Sequence, residues 1–136
     1  MAIVFAQEND LRVEDYAEVL RNCAMRHKRP VDNLDRLEEM LRGANFIVTA
    51  REDGEILGFA RCLTDHAWVC FCSDFAVKES AQRRGVGRGI LETCWRLLGP
   101  RIGFTLLSER DTVGFYEAAG MTRWEAGFYR TREDKS

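Results

Sequence analysis

Asp74-Phe-Ala-Val-Lys-Glu-Ser-Ala-Gln-Arg-Arg-Gly-Val-Gly-Arg-Gly-Ile-Leu91 passes from an apolar, strand-like segment through a short polar connector. It then enters a glycine- and arginine-rich turn and an amphipathic helix. A strand, a Gly/Arg turn and a helix N-terminus, in that order, suit a phosphate-bearing ligand. Backbone N–H groups point outward at such an end, the helix dipole places about +0.5 charge there, and arginines add full charges. Three arginines and three glycines between Arg83 and Gly89 are costly for a helix start unless a backbone must approach something anionic. The turn is not a dinucleotide fingerprint, because Ile90 stands where G-x-G-x-x-G needs its last glycine, and no acidic residue follows a second strand about twenty residues on. A P-loop would end in Gly-Lys-Ser/Thr, which is missing.

Outward from this stretch, the 136 residues fit one domain with a real core. With 46% apolar and 31% charged residues the composition is that of a soluble globular protein. A net charge of -2 argues against a nucleic-acid partner, since no basic excess exists to displace counterions. Cys23, Cys62, Cys70, Cys72 and Cys94 make an odd count without a CxxC pair. They suit reduced thiols better than a disulfide framework or a zinc site, so no metal is expected. Met1–Ala6 is apolar, yet lacks a basic flank and is too short for a signal or membrane segment, so the expected location is cytoplasmic, without membrane attachment.

Residues 2–6 read as a strand. Val13, Tyr16, Ala17, Leu20, Ala24 and His27 form one helix face that Pro30 stops, and Asp32 is the expected N-cap of a second helix ending at Gly43. Residues 45–51 and 55–63 are strands joined through Asp53-Gly54, and residues 67–77 make a longer strand. The helix after the Gly/Arg turn stops at Gly99-Pro100, 102–107 is a strand, and Asp111 is expected to cap a helix closed by Gly120. Residues 121–124 and 128–131 read as a terminal strand or hairpin. The order says α+β, with the later strand–helix–strand unit parallel.

Here the chain resembles a known family. Gln82-Arg83-Arg84-Gly85-Val86-Gly87 matches the Q/R-x-x-G-x-G/A motif of the GNAT superfamily of acyl-CoA N-acyltransferases. Asp74-Phe-Ala-Val77 resembles its D-L-A-V strand end, and Phe115-Tyr116-Glu117-Ala118-Ala119-Gly120-Met121 resembles its F-Y-E-K-x-G-F segment. The pieces come in the family's order and spacing and span nearly the whole chain, so residues 1–136 are expected to be a single GNAT domain with a mixed, mostly antiparallel sheet flanked by helices.

The resemblance implies an acetyl-CoA-dependent N-acetyltransferase acting on a primary amine of a small molecule or peptide by direct attack on the thioester. The pantetheine arm would lie between strands 67–77 and 102–107, along the backbone of Phe75, Ala76 and Val77. The pyrophosphate would rest on the turn from Gln82 through Arg83, Arg84, Gly85, Val86, Gly87 and Arg88 to Gly89, with the arginine side chains as phosphate candidates. Tyr116 matches the tyrosine that protonates the departing thiolate in many members.

Two departures stand out. Ser73 occupies the position where members often carry a glutamate base, and Glu109 occupies that of a cofactor-contacting asparagine, with Ser108 as a substitute. Asp74 is the neighbouring catalytic candidate, His66 and His27 are weaker ones, and a water relay is the preferred deprotonation route. Cys70 and Cys72 read as small core residues. The acceptor would be shaped by Met25–Asn33 and Trp124–Phe128, where Arg26, His27, Lys28 and Arg29 hint at an anionic group. The exposed last strand suggests a homodimer. The alternative is a non-catalytic acyl-CoA-binding or sensor module of the same fold, and a more distant one is a nucleotide- or phosphate-binding regulatory domain.

Overall fold

The computed structural model describes residues 2–136; Met1, the first residue of the apolar opening, lies outside them. Strand β1 (Ile3–Gln7) is followed by helices α1 (Val13–Arg21) and α2 (Leu34–Gly43), then by the meander β2 (Phe46–Glu52), β3 (Glu55–Thr64) and β4 (Val69–Val77). Helix α3 (Val86–Leu98), strand β5 (Gly103–Leu106) and the short helix α4 (Val113–Ala118) complete the described elements. The five strands lie in sequence order. All neighbours are antiparallel except β4 and β5, which run parallel through the α3 crossover as a strand–helix–strand unit requires.

Two apolar layers sandwich the sheet. On one face Tyr16, Val19 and Leu20 of α1 and Leu37 and Leu41 of α2 bury Ile47, Phe59 and Ala76. On the other, Val86, Ile90 and Cys94 of α3 cover Val48, Ala60, Cys62, Cys70 and Cys72. The β2–β3 turn has both Asp53 and Gly54 at positive φ, the two-residue geometry the Asp-Gly pair foretells.

One irregularity in β4 decides where its side chains go. Arg61 pairs with Asp74 while the next residue, Cys62, pairs with Cys72, so Ser73 is the extra residue of a β-bulge. Cys70 and Cys72 therefore face α3, Asp74 and Ala76 turn to the α1 side, and Phe75 and Val77 return to the α3 side.

Three local expectations are corrected. The first helix does not run on to Pro30. Asn22 ends it, its side-chain amide donating back to the Glu18 carbonyl at 2.7 Å, and Cys23 is extended before a 3₁₀ turn over Ala24–His27. Asn33, not Asp32, caps α2, its side-chain oxygen accepting the Arg36 N–H at 3.1 Å. Asp111 lies in a 3₁₀ turn over Arg110–Thr112, with Thr112 at the N-cap position of α4. Gly120, at φ +100, does close α4, as its N–H bond to Glu117 shows.

The tail departs most from expectation. Residues 121–131 form no strand, and Trp124 and Phe128 are 81% and 99% exposed. Strand-like composition reports a fit to a neighbouring pleated surface, and within this chain the tail has no such neighbour. The segment expected to pair two subunits is thus not a strand in the single chain. Strands β1 and β5 are the two sheet edges.

Candidate active site

Strand β4 runs to Val77, but its pairing with β5 ends at Cys72 and Leu106. Strand β5 itself ends there, leaving β4 from Ser73 to Val77 without a β5 partner along that edge. A cavity of about 430 Å³ fills the opening, within the range of small-ligand sites. Phe75 and Val77 form one wall, Gln82, Arg83 and the first residues of α3 form the end, and Thr112, Phe115 and Tyr116 form the opposite wall.

The end of the cavity is built for an anion. Gly85 adopts the left-handed conformation (φ +78) as the residue before α3, so it offers no capping side chain, and no acidic residue occupies the first turn. The opening N–H groups of α3 are left without an intrahelical or side-chain acceptor. Arg83 is also left-handed, at φ +66, a conformation that costs a non-glycine residue roughly 1–3 kcal/mol and clusters at ligand sites. It makes no ion pair among the described residues, whereas Arg84 is held by Glu52 at 2.5 Å and Arg88 by Glu92 at 2.7 Å.

The structure sorts the expected residues. Phe75, Val77, Gln82, Arg83, Gly85, Val86, Gly87, Arg88 and Tyr116 line the cavity. Four do not. Ala76 is buried on the opposite face against the α1 layer, sent there by the Ser73 bulge. Arg84 points to the β2–β3 turn and Glu52. Gly89 packs on β1, where a methyl would come within 2.2 Å of the Phe5 ring, and its N–H already bonds to Gly85. Ser108 donates to the Glu109 carbonyl at 2.7 Å and pairs with the Thr112 hydroxyl at 2.8 Å, knitting the β5–α4 loop. Thr112, Phe115 and Ala81 line the cavity without having been singled out. Phe115 contributes by closing on Gly87, whose missing side chain leaves just enough room for the ring.

Tyr116 stacks edge-on to Phe75 with ring centroids 5.8 Å apart. Burial, with the neighbouring Cys72, pushes its phenol up to about 12, so it stays protonated through the neutral range and keeps a proton to donate.

Asp74 is not presented to the cavity. It has no exposure, and its carboxylate accepts from Arg29 Nε at 2.6 Å, from Arg61 Nε at 2.5 Å and from the Tyr16 hydroxyl. Burial alone would raise its pKa, but Arg61 and Arg29 outweigh that and hold it below the ordinary carboxylate value. The basic run is likewise engaged. Lys28 pairs with Glu109 at 2.7 Å, Arg29 with Asp74, and Arg26 Nε donates to the His27 ring at 3.1 Å. The connector from Ala24 to Asn33 thereby reaches both β4 and the β5–α4 loop.

Residues 10–121 match the model of the acetyltransferase (GNAT) family. The chain belongs to this family. Solved structures share its fold. SA2161 of methicillin-resistant Staphylococcus aureus, described as a probable acetyltransferase, superposes with a TM-score of 0.78 at 21% identity over 96% of this chain and 100% of its own. A Deinococcus radiodurans R1 protein described in equivalent terms gives 0.74 at 25% identity, covering 94% and 87%. The aminoglycoside N-acetyltransferase AAC(6')-Iy, solved in complex with CoA, gives 0.72 at 19% identity, covering 98% and 96%. As a GNAT acetyltransferase, the chain keeps its candidate site beside the end of β4, beyond the last β5 pair. Among its described residues no helix is long and apolar enough to cross a membrane.

Proposed function

We propose that this GNAT acetyltransferase moves the acetyl group of acetyl-CoA to a primary amine by direct attack on the thioester. The observation that carries the reading is the pairing, within one cavity, of an uncapped helix N-terminus at one end with a protonated, half-buried phenol on its wall. The residues present fit the co-substrate: a largely apolar groove between β4 and α4 for an extended arm, and unpaired amides with Arg83 for a diphosphate. When bound, acetyl-CoA supplies the activated acyl carbon.

The chain's own groups supply the rest. The α3 amides from Val86 to Arg88 and the Arg83 guanidinium receive phosphate oxygens. The open edge of β4 from Ser73 to Val77 offers main-chain N–H to the thioester oxygen, where negative charge develops during attack. The Tyr116 hydroxyl donates to the sulfur as the C–S bond breaks. An amine with a lysine-like pKa sits about three units above neutrality, so freeing its lone pair costs roughly 4 kcal/mol. Asp74 is withdrawn behind two guanidiniums, so the proton leaves by water.

The decisive experiment is a CoA-release assay over a panel of small-molecule and peptide amines. Turnover with at least one amine is expected. Binding of acetyl-CoA without turnover by any amine would instead leave an acyl-CoA-binding module. Tyr116→Phe removes the donor while keeping the ring against Phe75. It should lower kcat by about 100-fold, the low end for a general acid, with acetyl-CoA affinity within about threefold of wild type. An unchanged kcat would take Tyr116 out of the chemistry.

A further inference from the structure

The bulge at Ser73 is the irregularity that turns Phe75 and Val77 into the cavity, and something must hold it. A bulged residue drops out of the ladder, so its backbone groups need partners from elsewhere. Here the Ser73 carbonyl accepts from Arg29 Nη2 at 2.8 Å, while the same guanidinium gives Nε to Asp74 at 2.6 Å and Nη1 to the Lys28 carbonyl at 2.8 Å. A planar fork is thus used on three acceptors at once, a geometry that lysine cannot reproduce.

Arg29 belongs to the connector between α1 and α2, and its neighbour Lys28 reaches across to Glu109 on the far side of the opening. The connector therefore straddles the gap between β4 and the β5–α4 loop. We propose that Arg29 is a positioning residue that locks the β4 bulge to the connector, so that one side chain fixes both the wall along which the acyl donor lies and the border of the acceptor space.

Arg61 has a different place in the same cluster. It lies within the sheet on β3 and binds Asp74, the Ser73 hydroxyl at 3.2 Å and the Met40 carbonyl at 3.1 Å, tying strand to helix. With Arg29 removed, Asp74 keeps Arg61 and the Tyr16 hydroxyl, so its charge stays compensated and the sheet stays closed. What is lost is the donor to the Ser73 carbonyl and the tether to the connector.

The role in catalysis rests on the transferase reading above; the hold on the bulge does not. Arg29→Met and Arg29→Lys are compared with wild type in three measurements: amide exchange at residues 73–77 by NMR, acetyl-CoA affinity by calorimetry, and kcat and KM on an accepted amine. For Arg29→Met, exchange at 73–77 is expected to rise at least about tenfold while that of α3 is unchanged. Its acetyl-CoA affinity should stay within about threefold, because the phosphate end lies on α3, and kcat should fall about 10- to 100-fold, the scale of a small misplacement. Arg29→Lys keeps one of the three bonds and should recover only part of kcat; it carries the test should Arg29→Met fail to fold. Unchanged exchange at 73–77, unchanged kcat in a folded variant, or full recovery by lysine would each overturn the proposal. If wild type turns over no amine, the transferase reading and the catalytic role fall together, and the exchange measurement alone decides whether Arg29 holds the bulge.

Discussion

Replacing Gly87 by glutamate should cost acetyl-CoA at least about 100-fold in affinity, or ~2.8 kcal/mol, and remove transfer with it. Two effects add. A Cβ at this position would lie 3.0 Å from the Phe115 ring and in ordinary contact, at 3.6 Å, with that of Phe75, so any side chain crowds Phe115 and a longer one fills the cavity between the two. A carboxylate there would also sit over the uncapped amides of α3 and compete for the positive end of the helix that a diphosphate would occupy. Gly87→Ala separates the two, because it crowds the Phe115 ring without adding charge and should lose less. Calorimetry with acetyl-CoA is the measurement, and affinity for Gly87→Glu within threefold of wild type would place the phosphates elsewhere.

Asp74→Asn is expected to have the largest effect on stability. Both carboxylate oxygens are fully buried and engaged, and removing the charge leaves Arg61 and Arg29 facing a neutral amide. Breaking such a buried pair typically costs about 3–5 kcal/mol, which for a chain of this size lowers Tm by roughly 10 °C or more. The effect should depend on pH. The folded carboxylate has a pKa below its unfolded value of about 4, so its stabilisation is complete above that value and is lost as pH falls toward the lowered one. The Tm gap between wild type and variant should therefore be widest near pH 7 and shrink below pH 4. A gap that is small at pH 7, or that does not narrow in acid, would contradict this account of the cluster.

The Gly/Arg turn and Tyr116 were legible in the sequence because each carries its signal locally. Gly85 must supply a left-handed residue before a helix, and Tyr116 stands within a recognisable helix segment. The bulge was not legible. Cys70, Cys72, Asp74 and Ala76 alternate as though they shared one face, and only the pairing of Arg61 with Asp74 beside Cys62 with Cys72 reveals the one-residue slip that divides them. The Ala76 side chain lies off the cavity for that reason, and Gly89 because its close neighbour, Phe5, lies more than eighty residues earlier. Arg29 read as one charge of a basic run facing an anionic acceptor, since its partners Ser73 and Asp74 are forty-four and forty-five residues away. The tail failed differently: Trp124 and Phe128 have the composition of a strand but no strand beside them.

The five cysteines have a consequence at the bench. All are free and buried. Burial raises the Cys23 thiol, and hydrogen bonding to Cys62 together with burial raises those of Cys70 and Cys72, so little thiolate forms at neutral pH. The native protein should be almost silent toward a chromogenic disulfide reagent, and the colour that develops during turnover then belongs to the released CoA. A blank that climbs without substrate reads the fraction of molecules that have opened, so one cuvette reports both the reaction and the integrity of the fold.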